Sequence, residues 1–166
     1  MGKLCLFTKF EIMPSSSKSN IYFFFDGVKV PLKNRTQLKR FIESIFKSEK
    51  RRLGVLNYVF CSDRTLRKIN RQYLKHDSYT DIITFDLSET PGLINGEIYI
   101  SVDRVKDNSR NLNEYFSKEL VRVIFHGALH LCGYNDSTKT EVLKMRKIEE
   151  YYLKDYFKVP RDTVSG

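Results

Sequence analysis

Apolar positions change their period along the chain, and the changes mark out its elements. "IYFFF" from Ile21 is an unbroken apolar run that stops at Asp26-Gly27, the pattern of a buried strand and its turn. From Asn34, "NRTQLKRFIESIFKSEKRR" places Leu38, Phe41, Ile42, Ile45 and Phe46 at helical spacing, with its basic residues on the outer face. "LNYVFCSD" reads as a second strand and "RTLRKINRQYL" as a short helix after it. "TDIITFDLS" and "GEIYIS" are two further strands, joined by a Pro91-Gly92 loop. "VDRVKDNSRNL" is a third helix, "SKELVRVIFHGALHLCG" a long apolar fourth, and a last amphipathic helix begins near Thr138.

This order, without internal repeats, predicts an α+β single domain. A mixed sheet of roughly four strands is packed by about five helices, and the long apolar helix is central. "MPSSSKSN", residues 13 to 20, reads as a flexible lead-in. The boundaries are then 1–19 for an N-terminal segment, 20–160 for the domain and 161–166 for a tail.

Composition narrows the class. A chain of 166 residues, 41% hydrophobic, can bury a real core and is not disordered as a whole. No run approaches the roughly 18 apolar residues of a membrane span. Cys5, Cys61 and Cys132 are scattered and lack C-x-x-C spacing, which suits a reducing compartment and disfavours a cysteine-rich zinc ribbon. "MGKLCLFTKFEI" makes a poor signal peptide because Lys9 and Glu11 interrupt it. The expected address is the cytoplasm.

Net charge is +9, and residues 33–75 carry thirteen lysines or arginines against three acids, Glu43, Glu49 and Asp63. This segment holds all of the excess. Such asymmetry favours a polyanion, nucleic acid first and an anionic membrane surface second, over a basic face kept for solubility.

Candidate chemistry gathers in "HGALHLCGYND". Leu120, Ile124, Gly127, Ala128 and Leu131 form the core stripe of the long helix, while His126 and His130 fall together on another stripe. Two imidazoles at i and i+4 are a simple way for a helix to present two metal ligands. Gly133 can take the left-handed conformation that ends a helix, so the chain can swing Asp136 back as a third ligand. Two histidines and a carboxylate leave a coordination position open, as in catalytic zinc sites. His76, in the loop "YLKHDSYTD", competes with Asp136 as third ligand or contacts substrate. Cys132 faces elsewhere. The spacing is similar to the metzincin H-E-x-x-H-x-x-G-x-x-H, but Gly127 stands where the peptidase needs its general base.

"HGALHLCGYND" also resembles the H-G-x-L-H-L-x-G-Y-D-H signature of the YbeY family of bacterial rRNA-maturation endoribonucleases. "LRKINRQYLKHDSYTDIITFDL" is similar to that family's L-N-x-x-Y-R-G-K-D-x-P-T-D-V-L-S-F-P, and "GEIYIS" to its G-D-I-x-I-S. The resemblance spans roughly Asn57 to Asp136. It places the family's metal histidines on His126 and His130, which double as catalytic residues, and its third histidine on Asp136. The family's arginine is Leu74 here, with Arg71 and Lys75 nearby, and Asp86 stands where the family often has proline.

What the resemblance implies is a single-strand-selective, metal-dependent endoribonuclease of rRNA precursors, notably at the 16S 3′ end. One zinc ion per chain is the expected cofactor. The implied partners are ribosomal RNA and the small ribosomal subunit, with ribosomal proteins and the assembly GTPase Era beyond them, and no membrane. Arg71, Lys75, His76, Lys50, Arg51 and Arg52 are the expected RNA contacts. No general base follows from the sequence; Asp81 reads more simply as a turn residue, and attack by the RNA's own 2′-hydroxyl is an equal alternative. Two other readings stand beside this one: a ribosome-assembly factor with a structural metal, and a zinc metallopeptidase-like hydrolase.

Overall fold

The computed structural model describes residues 19–158 except 76 and 78. His76, residues 1–18 and the expected 161–166 tail lie outside the described residues. The elements run β1 (Ile21–Phe25), α1 (Arg35–Ser48), β2 (Arg52–Cys61), α2 (Asp63–Ile69), a π-helical turn (Asn70–Leu74), β3 (Ile82–Asp86), β4 (Leu93–Ser101), α3 (Val102–Asn111), α4 (Phe116–Leu131) and α5 (Lys139–Lys158).

The four strands form one mixed sheet in the order β1-β2-β4-β3. β1 and β4 flank β2 in parallel, Ile21 opposite Leu56 and Tyr58 opposite Ile98, while β3 returns antiparallel to β4 with Thr84 opposite Ile98. This is the α+β architecture that the apolar pattern predicts.

Both sheet faces are covered, which is why β2 reads as a nearly continuous apolar run. On one face Leu56, Tyr58, Phe60, Ile98 and Ile100 pack against α1, α4 and α5 in the main core. On the other, Val59, Cys61, Ile83 and Tyr99 pack with Leu66 and Ile69 of α2. α4 touches β3, β4, α1, α3 and α5, and its predicted stripe of Leu120, Ile124, Gly127, Ala128 and Leu131 is buried. Phe41 of α1 stacks on Phe125 at 5.2 Å between ring centroids. Among the described residues no helix is long and apolar enough to cross a membrane.

Two elements differ from their sequence patterns. β2 begins at Arg52, four residues before the apolar run, because Arg52 and Leu53 pair with Leu93 and Ile94 of β4. The ladder is irregular between Leu53 and Leu56, where the Val55 N–H donates to the Asn95 side-chain oxygen at 2.7 Å. A pairing supplied by another strand leaves no trace in the local period. "RTLRKINRQYL" is α2 plus a π turn rather than one helix. Leu66, Ile69 and Tyr73 keep near-helical spacing through both, so hydrophobic period cannot separate a wide turn from an ordinary one.

Candidate metal centre

The end of α4 builds a turn from its own residues. Gly133 sits at φ 104°, a backbone conformation open to glycine. Its N–H donates to the His130 carbonyl at 3.0 Å, and the Tyr134 N–H donates to the Leu129 carbonyl at 3.1 Å. These are the paired bonds of a Schellman helix end. The reversal returns Asp136 to the histidine stripe, its Oδ2 3.4 Å from His126 Nε2 and 3.6 Å from His130 Nε2. The three candidate ligand atoms lie within 4.8 Å of one another.

The outer nitrogens of both rings are engaged. His126 Nδ1 lies 2.5 Å from Glu149 Oε1 on α5, and His130 Nδ1 lies 2.9 Å from the Tyr134 carbonyl. A carboxylate and a carbonyl can only accept, so we assign both Nδ1 atoms as N–H donors. Each neutral ring then turns an Nε2 lone pair inward, and the two Nε2 atoms stand 2.8 Å apart. Two facing lone pairs repel unless a proton or cation lies between them. A tetrahedral ion with bonds of about 2.0–2.1 Å separates its ligands by about 3.3 Å. The histidine–aspartate gaps already match that spacing, and the histidine pair need open only slightly. The donor set therefore fits a divalent metal with an open position.

Charge around the pair is asymmetric. Burial opposes protonation of His126, but the hydrogen bond and negative charge of Glu149 outweigh it, and the pKa is raised. Burial, then the neighbouring His126, holds His130 below its ordinary value. The turn is anchored from the far side as well: Glu49 accepts from the Tyr134 hydroxyl at 2.9 Å and from the Tyr152 hydroxyl at 2.5 Å. Cys132 is buried, and burial pushes its thiol up to about 12, so it is an inert neighbour rather than a ligand.

Two hollows flank the histidines. A cleft of 670 Å³ includes Asp81, Lys118, Glu119, Arg122, His126, Asp136, Arg146 and Glu149 in its walls. A groove of 430 Å³ runs beside His130 along β3. Asp81 accepts from Asn108 Nδ2 at 3.1 Å, and the buried Glu119 is paired with Arg122. Position 127 faces the sheet: a Cβ there would meet Ile98 at 2.9 Å and Ile82 at 3.0 Å. A longer side chain there would have to displace Ile98 or Ile82.

The sequence-predicted RNA contacts fall on two elements. Lys50, Arg51 and Arg52 are at the α1–β2 corner, where with Lys47 they line a hollow. Arg51 reaches the turn at Gly133, since a Cβ added there would lie 3.4 Å from its Nη2. Arg71 is on the π turn with its Nε 3.8 Å from Asp77 Oδ1, and Lys75 follows that turn at φ 55°. Leu74 is 43% exposed and lines the groove beside His130. Glu149 is a site residue that sequence reasoning missed. Its signal is an acid inside the buried stripe Met145, Glu149, Tyr152, Tyr156 of α5.

The sequence pattern of the endoribonuclease YbeY family matches residues 26–157. An endoribonuclease YbeY of Cytophaga hutchinsonii is 46% identical over 136 residues, covering 82% of this chain and 95% of the relative. One of Amoebophilus asiaticus is 44% identical over 136 residues, covering 82% and 92%. A Thermotoga maritima protein solved in solution superposes with a TM-score of 0.54 at 28% identity, covering 88% of this chain and 99% of that one. With the family pattern running through nearly all of the described fold and these relatives aligned over most of their length, the chain belongs to the endoribonuclease YbeY family.

Proposed function

We propose that this endoribonuclease is metal-dependent and single-strand-selective, acting on ribosomal RNA precursors, notably at the 16S 3′ end, with one zinc ion held by His126, His130 and Asp136. One observation carries the reading: two Nε2 atoms face each other at 2.8 Å beside a carboxylate, in a chain of this family. A zinc ion held there by His126, His130 and Asp136 would supply Lewis-acid polarisation of the scissile phosphate and would acidify water. Glu149 and the Tyr134 carbonyl hold the rings in the ligating tautomer. Lys118, Arg122 and Arg146 line the cleft as cations for the RNA backbone. We assign Asp81, which lines the same cleft and is oriented by Asn108, as the acid that takes a proton. Arg71, Lys75, Lys50, Arg51 and Arg52 extend the backbone contacts on either side, and the small ribosomal subunit is the partner this reading implies.

Metal analysis of wild type beside His126→Ala, His130→Ala and Asp136→Ala, with cleavage of single-stranded RNA by each, tests the proposal. Wild type holds one ion and cleaves; each variant loses both properties. Asp136→His, which restores the family's usual ligand type, retains them. Full metal content in Asp136→Ala would remove Asp136 from the ligand set.

A second reading, an assembly factor whose metal is structural, draws on Leu74: an exposed apolar side chain stands in the groove where the family carries an arginine. It predicts that metal-loaded wild type binds ribosomal subunits and leaves RNA uncut.

A further inference from the structure

β3 is an edge strand, and the hydrogen-bond pattern fixes which of its groups face outward. The Ser101 N–H bonds to the Asp81 carbonyl and the Leu87 N–H to the Asn95 carbonyl, both at 2.8 Å. Antiparallel pairs alternate between bonded and non-bonded, so Ile83–Tyr99 and Phe85–Glu97 are the bonded pairs between these ends. The backbone N–H and C=O groups of Thr84 and Asp86 therefore point away from β4, to the side where no strand pairs with them among the described residues. That side carries the 430 Å³ groove, whose walls include Asn70, Leu74, Thr84, Asp86 and His130.

Thr84 gives the groove an unmet demand. Its Oγ1 is buried and has no hydrogen-bond partner among the described residues. A buried hydroxyl without a partner destabilises the fold, and valine would fill the same space without that cost. The orphan hydroxyl belongs to a residue lining a groove, beside outward-facing backbone donors and acceptors. Across the groove, Leu74 exposes an apolar side chain.

We infer that this groove seats one unstacked nucleobase of the RNA strand next to the scissile phosphate. The inference rests on the ribonuclease reading above and deepens it. Each base presents donors and acceptors side by side on its edge, as Thr84 does with its outward N–H and C=O beside the orphan hydroxyl. The flat face of the base packs on the exposed Leu74 side chain. His130 lines the groove as well, which sets the seated base within one nucleotide of the metal ligands.

The test is fluorescence anisotropy on the full metal-loaded chain, with cleavage-resistant 2′-O-methyl hexanucleotides of U, C and A and an abasic hexamer of equal charge. Wild type binds the best base-bearing strand about tenfold more tightly than the abasic one. Thr84→Val lowers that ratio roughly three- to tenfold, with abasic affinity unchanged. Thr84→Ser, which keeps the hydroxyl, retains the ratio, and Leu74→Ala lowers it. Thermal unfolding of Thr84→Val matches or exceeds wild type, so its weaker discrimination is not a folding defect. An unchanged ratio in Thr84→Val, or equal binding of abasic and base-bearing strands by wild type, overturns the subsite while RNA cleavage by wild type stands. Displacement of the RNA by an acetylated hexapeptide of alternating valine and threonine also overturns it and assigns the edge to a peptide strand. Failure of wild type to cleave RNA at all would instead bring down the functional reading beneath it.

Discussion

Glu149 Oε1 meets His126 Nδ1 at 2.5 Å across the α4–α5 interface, a contact between residues twenty-three positions apart. It joins the buried stripe of one helix to the histidine stripe of another. The carboxylate fixes which imidazole nitrogen carries the proton, so the nitrogen facing Asp136 is left with its lone pair.

Removing that carboxylate is expected to weaken the site without touching a ligand. Glu149→Ala lowers zinc affinity about 10- to 100-fold. Glu149→Gln has a smaller effect, because its amide oxygen still accepts from Nδ1. Competition against a chromophoric chelator measures both, and equal affinity in wild type and Glu149→Ala would refute the positioning role.

Glu97 gives a pH dependence away from the centre. Burial raises its carboxyl above the ordinary value, while hydrogen bonds from Tyr99 and Asn57 work in the other direction. An acid raised in the folded state contributes stability fully below its unfolded pKa and loses it as pH rises through the folded value. At neutral pH the ionised group is therefore a net cost. Glu97→Gln raises Tm by a few degrees at about pH 8, and the gap closes toward about pH 4. A gap that grows on acidification would reverse the sign.

Gly127 is held by packing against the sheet. Gly127→Ala drives a methyl into Ile98 and Ile82 and is expected to cost about 1–3 kcal/mol. Urea unfolding reads this directly. A glutamate placed there to imitate a peptidase destabilises the fold further and creates no peptide hydrolysis, which a casein assay checks.

Charge reversal at the α1–β2 corner separates RNA binding from metal binding. Lys50→Glu, Arg51→Glu and Arg52→Glu together lower single-stranded RNA affinity, and the log–log salt slope shrinks by about 0.7 for each phosphate no longer neutralised. Metal content stays at the wild-type level. An unchanged salt slope would place the RNA path elsewhere.

The sequence by itself determined the elements and the two histidines. Strand and helix periods, the glycine at the end of α4 and the i, i+4 histidine spacing are local properties, and local properties are written in consecutive residues. The Gly133 turn delivers Asp136 for the same reason: its reach is three residues. Tertiary structure alone decided what lies around them. Glu149 at His126, Glu49 at Tyr134 and Tyr152, Leu74 and Thr84 lining one groove with His130, and Arg51 near the Gly133 turn all bring distant segments together. The start of β2 and the free edge of β3 depend likewise on which strand lies alongside. A single sequence records the period of each element but not its neighbour, because pairing and packing energies belong to two segments at once.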